Sequence, residues 1–178
     1  MTEESPGIII PRRKLKIYLD TSIISFLFAD DAPGMRDATI DLFNKYIGPQ
    51  RHDFYISGVV LSEIDHTPDQ SLREKFHKAI DDYDLPQLDI KDFVHEIRRL
   101  TEQYVRMGII PQKKFEDAMH VAISTVHQMD ALLSWNFQHL ANIFRERRIM
   151  SININEGYMK PLRITTPYEV MEDENQDT

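Results

Sequence analysis

The chain contains no cysteine. That removes disulfide scaffolds, thiolate zinc sites, iron–sulfur clusters and cysteine nucleophiles together. Glycine is scarce, with 6 in 178 residues, and neither a G-x-G-x-x-G nor a G-x-x-x-x-G-K-[ST] phosphate loop occurs. None of the 7 histidines stands at His-x-x-x-His spacing. No apolar run approaches the roughly 18–20 residues that span a bilayer, and the opening Met-Thr-Glu-Glu-Ser-Pro lacks the basic and apolar regions of a secretory signal. A cytoplasmic protein without a membrane partner is the expectation. Basic residues are outnumbered, 21 Lys and Arg against 29 Asp and Glu, for a net charge of −8. Bulk charge therefore argues against non-specific duplex binding. The distribution is lopsided, however: Arg12, Arg13, Lys14 and Lys16 cluster near one end, and Glu169, Glu172, Asp173, Glu174 and Asp177 near the other.

What is present suits one folded domain. Hydrophobic residues make up 42% and charged residues 28%, and a chain of this length buries roughly 70% of its unfolded surface. Residues 1–13 read as a polar arm, in which Ile8-Ile9-Ile10 offers an edge strand or a sticky contact. Residues 14–171 read as a single domain, and 172–178 as a frayed, disordered acidic tail. Apolar strand-like runs at 16–19, 54–57, 87–90, 131–134 and 162–165 alternate with helical patterns at 35–47, 59–64, 68–83, 93–107, 115–128 and 137–147. In the first of these helices Ile40, Phe43 and Ile47 share one face; in the helix over 68–83, Leu72, Phe76, Ala79, Ile80 and Tyr83 face inward. Strands separated by helices predict a central parallel sheet of four to five strands in a three-layer α/β/α sandwich.

In such a sheet, function gathers at the carboxyl ends of the strands. The first strand ends in Asp20-Thr21-Ser22, the second is followed by a segment carrying Glu63, and the fourth ends in Ser134-Trp135-Asn136. The helix over 115–128 holds Asp117 in its first turn. Two carboxylates about 4 Å apart repel by about 4 kcal/mol at an effective dielectric near 20. Such a cluster calls for a proton or a cation, and oxygen-only ligands favour Mg²⁺ or Mn²⁺. A magnesium site in turn makes a phosphate ester the natural substrate.

Four segments in this order resemble the PIN domain: the strand ending in Asp20-Thr21-Ser22, then Val59-Val60-Leu61-Ser62-Glu63-Ile64, then Asp117-Ala118-Met119-His120-Val121-Ala122, then Leu132-Leu133-Ser134-Trp135-Asn136-Phe137. The likeness runs from about Leu15 to about Val170. It implies a metal-dependent endoribonuclease acting on single-stranded RNA, often the toxin of a type II toxin–antitoxin pair. It also implies Mg²⁺ or Mn²⁺ as cofactor, a homodimer, and a cognate antitoxin as partner. Asp20, Glu63 and Asp117 match the family's first three acids, as catalytic and metal-binding residues. Asn136 stands where many members carry a fourth Asp; it supplies an amide oxygen and no charge. Thr21 and Ser134, beside these acids, are similar to hydroxyls that orient the acids or the water.

Plainer readings compete for each residue. Asp20 and Asn136 are good helix caps, Asp117 suits a helix dipole, and Glu63 reads as a solvated helix residue. His120 reads as a satisfied packing histidine, and Trp135 as core. Among the basic residues, Lys113 and Lys114 stand nearest an acid of the set and are the candidate RNA-phosphate contacts. A haloacid-dehalogenase-type phosphatase requires a second Asp two residues after the nucleophile, where this chain has Ser22. A receiver domain requires an acidic pair ending an earlier strand, and only Glu3 and Glu4 precede Asp20 among the acids. A PIN-like scaffold that binds RNA or protein without cutting is the alternative of a different class.

Overall fold

The computed structural model describes residues 13–136 and 143–175. The expected Ile8-Ile9-Ile10 strand and the start of the helix over 137–147 lie outside them. Five strands, β1 (Lys16–Leu19), β2 (Asp53–Ser57), β3 (Gln87–Leu88), β4 (Ala131–Leu133) and β5 (Arg163–Thr165), form one sheet in the order β3-β2-β1-β4-β5. Every pairing is parallel. Central β1 is completely buried from Ile17 to Leu19, as a strand covered on both faces must be.

Between β1 and β2 run α1 (Thr21–Ser25) and α2 (Pro33–Leu42); α3 (Gly58–Asp65) and α4 (Gln70–Asp82) lead to β3. Next come α5 (Val94–Arg106) and α6 (Phe115–Val126), then α7 (Ile143–Asn155) between β4 and β5, and α8 (Pro167–Asn175). Crossovers between parallel strands are right-handed. The chain moves outward from β1 through β2 to β3 and returns across the sheet to β4 and β5. The outward connections therefore lie on one face and the returning ones on the other. Packing agrees: α1 and α3 lie against α4, whereas α6 and α7 lie against α5. The result is the expected three-layer α/β/α sandwich.

Local differences from the sequence reading have physical causes. Pro33 at the first helical position starts α2 earlier than expected, and the helix ends in a π-helical turn over Phe43–Ile47. There the Gly48 N–H reaches back to the Phe43 carbonyl at 2.8 Å. The buried face runs through Ala38, Thr39, Leu42, Phe43, Tyr46 and Ile47 at i, i+3/i+4 spacing, so Ile40, expected inward, lies off that face and is exposed. In α4, Phe76, Ala79 and Ile80 are buried as the pattern predicts. The helix predicted over 137–147 runs on to Asn155. Its far end is held by the buried Asn153 side chain, which accepts from the Tyr104 hydroxyl at 2.5 Å and donates to Thr125 at 3.1 Å. Helix α8 was not foreseen, and its end at Asn175 falls in the stretch expected to fray.

Candidate active site at the sheet switch point

The chain leaves β1 in one direction and enters β4 from the other, so the carboxyl ends of these adjacent strands form a topological switch point. Asp20 and Ser134 stand there. The Asp20 N–H still bonds the Leu133 carbonyl at 3.2 Å, and its side chain turns back to cap α1 by accepting the Ser22 N–H at 3.0 Å. The cap predicted by the plainer reading is therefore present.

The Asp20 carboxylate, 1% exposed, is fixed at both oxygens. The Ser22 hydroxyl donates to Oδ1 at 2.5 Å, and the Ser134 hydroxyl donates to Oδ2. Each hydroxyl is itself oriented by the backbone after β4. Ser22 Oγ accepts the Trp135 N–H at 2.8 Å, and Ser134 Oγ accepts the Asn136 N–H at 3.0 Å. With an N–H aimed at each oxygen, each hydroxyl proton points to the acid. Burial pushes the Asp20 carboxyl above its ordinary range; the nearby His120 charge, Ser134 and Ser22 oppose this, and the charge of Asp117 adds to it.

Asp117 lies in the first turn of α6, 8% exposed, with Lys114 Nζ 3.4 Å from its Oδ2. Lys113 sits in the same short 3₁₀ turn, Gln112–Lys114, and both lysines are exposed.

Glu63, half-buried on α3, accepts from the Thr21 hydroxyl and meets His120 Nε2 at 3.1 Å through the same oxygen, Oε2. Burial alone would raise its carboxyl, but the hydrogen bond and charge of His120, with Thr21, bring it below the ordinary range. His120, on α6 and 2% exposed, has both ring nitrogens engaged, its Nδ1 lying 2.9 Å from the Tyr18 hydroxyl. Burial disfavours its charge; the Glu63 hydrogen bond and the charges of Asp20, Glu63 and Asp117 outweigh that and raise its pKa. The predicted acids thus share one electrostatic neighbourhood around His120.

Their contacts are nonetheless distinct. Asp20 is bonded to the serines, Glu63 to Thr21 and His120, and Asp117 is paired with Lys114. Among the described residues, no group of three His, Asp or Glu side chains is arranged to hold a metal ion. Asn136 is exposed and enters the network through its backbone N–H. Trp135 is core, with its indole N–H on Thr39 Oγ1 at 2.9 Å and its ring against Phe26 and Tyr168.

The donor chemistry still fits a hydrated Mg²⁺. Such an ion takes one or two carboxylates and keeps several waters, and does not require an all-protein cage. Asp20 and Asp117 offer oxygen donors only, the kind that Mg²⁺ takes.

Sequence reasoning missed Tyr18, Ser22 and Ser57. The Tyr18 hydroxyl lies 2.8 Å from Ser57 Oγ; the available signal was a phenol in the middle of an apolar strand, whose hydroxyl requires a partner when buried. A groove of about 850 Å³ opens beside Glu63, lined also by Val59, His66, Ile90, Lys91 and Met119. At the end of β5 the Thr165 hydroxyl is buried with no hydrogen-bond partner among the described residues.

No family model matches this chain, and comparison with curated proteins finds no match. Among the described residues, no helix is long and apolar enough to cross a membrane.

Proposed function

We propose that this protein is a divalent-metal-dependent endoribonuclease that hydrolyses phosphodiester bonds of single-stranded RNA. The observation that carries the reading is Asp20, an acid buried at the switch point of a parallel sheet, with its carboxyl raised by burial and by Asp117. A buried carboxyl with a perturbed pKa, close to a second acid at a strand end, is a candidate functional group, and a cation answering both acids is the reading we draw from it. Asp20, Asp117 and the free oxygen of Glu63 would hold Mg²⁺ or Mn²⁺. When bound, the ion supplies charge neutralisation at the phosphoryl oxygens and a water of lowered pKa. The chain's own residues do the rest. Ser22 and Ser134 hold the Asp20 oxygens in place, Thr21 and His120 hold Glu63, and the groove beside Glu63 gives a strand room to lie. Lys113 and Lys114 supply positive charge for the phosphate backbone. The resemblance of the four motifs to the PIN domain supports the same reading, and carries with it a homodimer and a cognate antitoxin as proposed partners.

The test is incubation of the purified protein with a panel of single-stranded RNAs and Mn²⁺, beside Asp20→Asn. Cutting by the wild type, ending in 3′-hydroxyl and 5′-phosphate, and its loss in the variant are expected. Equal cutting by both proteins, or none across the panel, rejects the nuclease. A second reading, an RNA- or protein-binding scaffold that does not cut, draws on one observation: an uncharged Asn136 at the end of β4, in a site without a three-ligand group among the described residues. Metal-independent RNA binding without cleavage is its signature. A monomer mass by light scattering removes the dimer, and a genomic neighbourhood without a small DNA-binding partner removes the antitoxin.

A further inference from the structure

A buried chain of hydrogen bonds runs behind the site, from Ser57 through Tyr18 and His120 to Glu63. We propose that Tyr18 is a positioning residue for Glu63, acting through His120 and resting on the nuclease reading above for its purpose. Ser57 Oγ accepts the Val59 N–H at 3.2 Å, which anchors the far end of the chain to the first turn of α3. The Tyr18 hydroxyl lies 2.8 Å from Ser57 Oγ and 2.9 Å from His120 Nδ1. A phenol both donates and accepts. When the imidazole carries one proton, Ser57 donates to Tyr18, Tyr18 donates to Nδ1, and the ring proton sits on Nε2. When the ring carries two, Nδ1–H donates to Tyr18 and Tyr18 donates to Ser57. In both states Nε2–H faces Glu63 Oε2, where Thr21 also donates. Oε2 is thereby held and Oε1 is the oxygen left to the site. A phenylalanine at position 18 would fill the same space but leave Nδ1 buried without a partner, and the ring would lose the contact that fixes its plane.

The groups facing this chain come from every element packed on it: Asp20 after β1, Glu63 on α3, Asp117 on α6 and Thr21 on α1. None of them supplies a second partner to Nδ1 in place of Tyr18.

The experiment compares Tyr18→Phe, Ser57→Ala and Tyr104→Phe in the full chain. Tyr104 is the matched control, a fully buried tyrosine whose hydroxyl bonds Asn153 in a separate cluster. The ¹⁵N resonances of the His120 ring, assigned with His120→Gln, report the tautomer; Mn²⁺ affinity reports Glu63. In the wild type at a pH where the ring is neutral, a single Nε2–H tautomer is expected. Tyr18→Phe should mix the tautomers or broaden the ring signals and weaken Mn²⁺ binding, by no more than the roughly 10–100-fold that loss of a ligand's own hydrogen-bond partner costs. Ser57→Ala should move the same signals by less, and it decides the matter if Tyr18→Phe does not fold. Tyr104→Phe should move neither. Unchanged His120 signals in Tyr18→Phe, or equal changes in Tyr104→Phe, overturn the proposal. A wild type that binds no Mn²⁺ defeats the nuclease reading alone, since the ring resonances still test the chain.

Discussion

At Asp20 both carboxylate oxygens already receive donors, from Ser22 and Ser134. An asparagine there keeps an acceptor for the α1 cap and removes a charge that burial and Asp117 disfavour. Asp20→Asn should therefore melt at or above the wild-type temperature while losing more cleavage than the roughly 10–100-fold that an outer partner costs. Thermal melts and the RNA assay read the two effects separately, and a large drop in melting temperature contradicts this account of the carboxylate. Thr165 offers the simpler case. Its hydroxyl is buried without a partner among the described residues, and valine has the same shape, so Thr165→Val should raise unfolding free energy by about 1 kcal/mol in urea titrations. Of the candidate acids, Asp20 and Asp117 stand where the sequence puts them, after a strand and in a first helical turn, whereas Glu63, late in α3, is singled out only by the resemblance. The residues that hold the acids are not legible in the sequence. Tyr18 reads as core, since its partners lie 39 and 102 positions away in the chain.

Helix α7 shows what tertiary contacts do at the scale of an element. Ser151-Ile152-Asn153-Ile154-Asn155 has weak helix propensity, so the sequence pattern ends at Arg147. Buried Ile149 and the Asn153 link to Tyr104 and Thr125 carry the helix onward. Asn153→Leu should leave the Tyr104 hydroxyl short of a partner and cost about 1–3 kcal/mol. Urea midpoints measure the loss, and amide exchange should quicken first along 148–155. Helix α2 is the opposite lesson: the Ile40, Phe43, Ile47 spacing put Ile40 inside, but Ala38, Thr39 and Leu42 set the buried face and leave Ile40 outside it. The alternation of longer helices with strands from β1 to β5, by contrast, is readable in the sequence, because apolar runs and stop residues are local signals.

Across the whole molecule, the amino ends of the sheet are tied by Asp130. It accepts from the Lys16 N–H at 2.8 Å and from Arg13 at 2.9 Å, and pairs with Lys160 at 2.8 Å, joining the entries to β1, β4 and β5. Burial raises its carboxyl, but the Lys16 N–H, Lys160 and Arg13 prevail and hold it below the ordinary range. A lowered folded pKa gives stability that is complete above the unfolded value, about 3.9, and is lost as pH falls through the folded one. The stability advantage of wild type over Asp130→Asn should thus be full at neutral pH and shrink in strong acid; an advantage unchanged by acid would contradict this clamp. At the other end of the strands, Asp20 and Asp117 lie in a chain of net charge −8, and the proposed function has a cation receive the phosphate between them. The most direct test is a crystal soaked in Mn²⁺ and measured at the manganese edge. The account predicts an anomalous peak within coordinating distance of Asp20 and Asp117, absent from Asp20→Asn. Ordered carboxylates with no peak between them would contradict it.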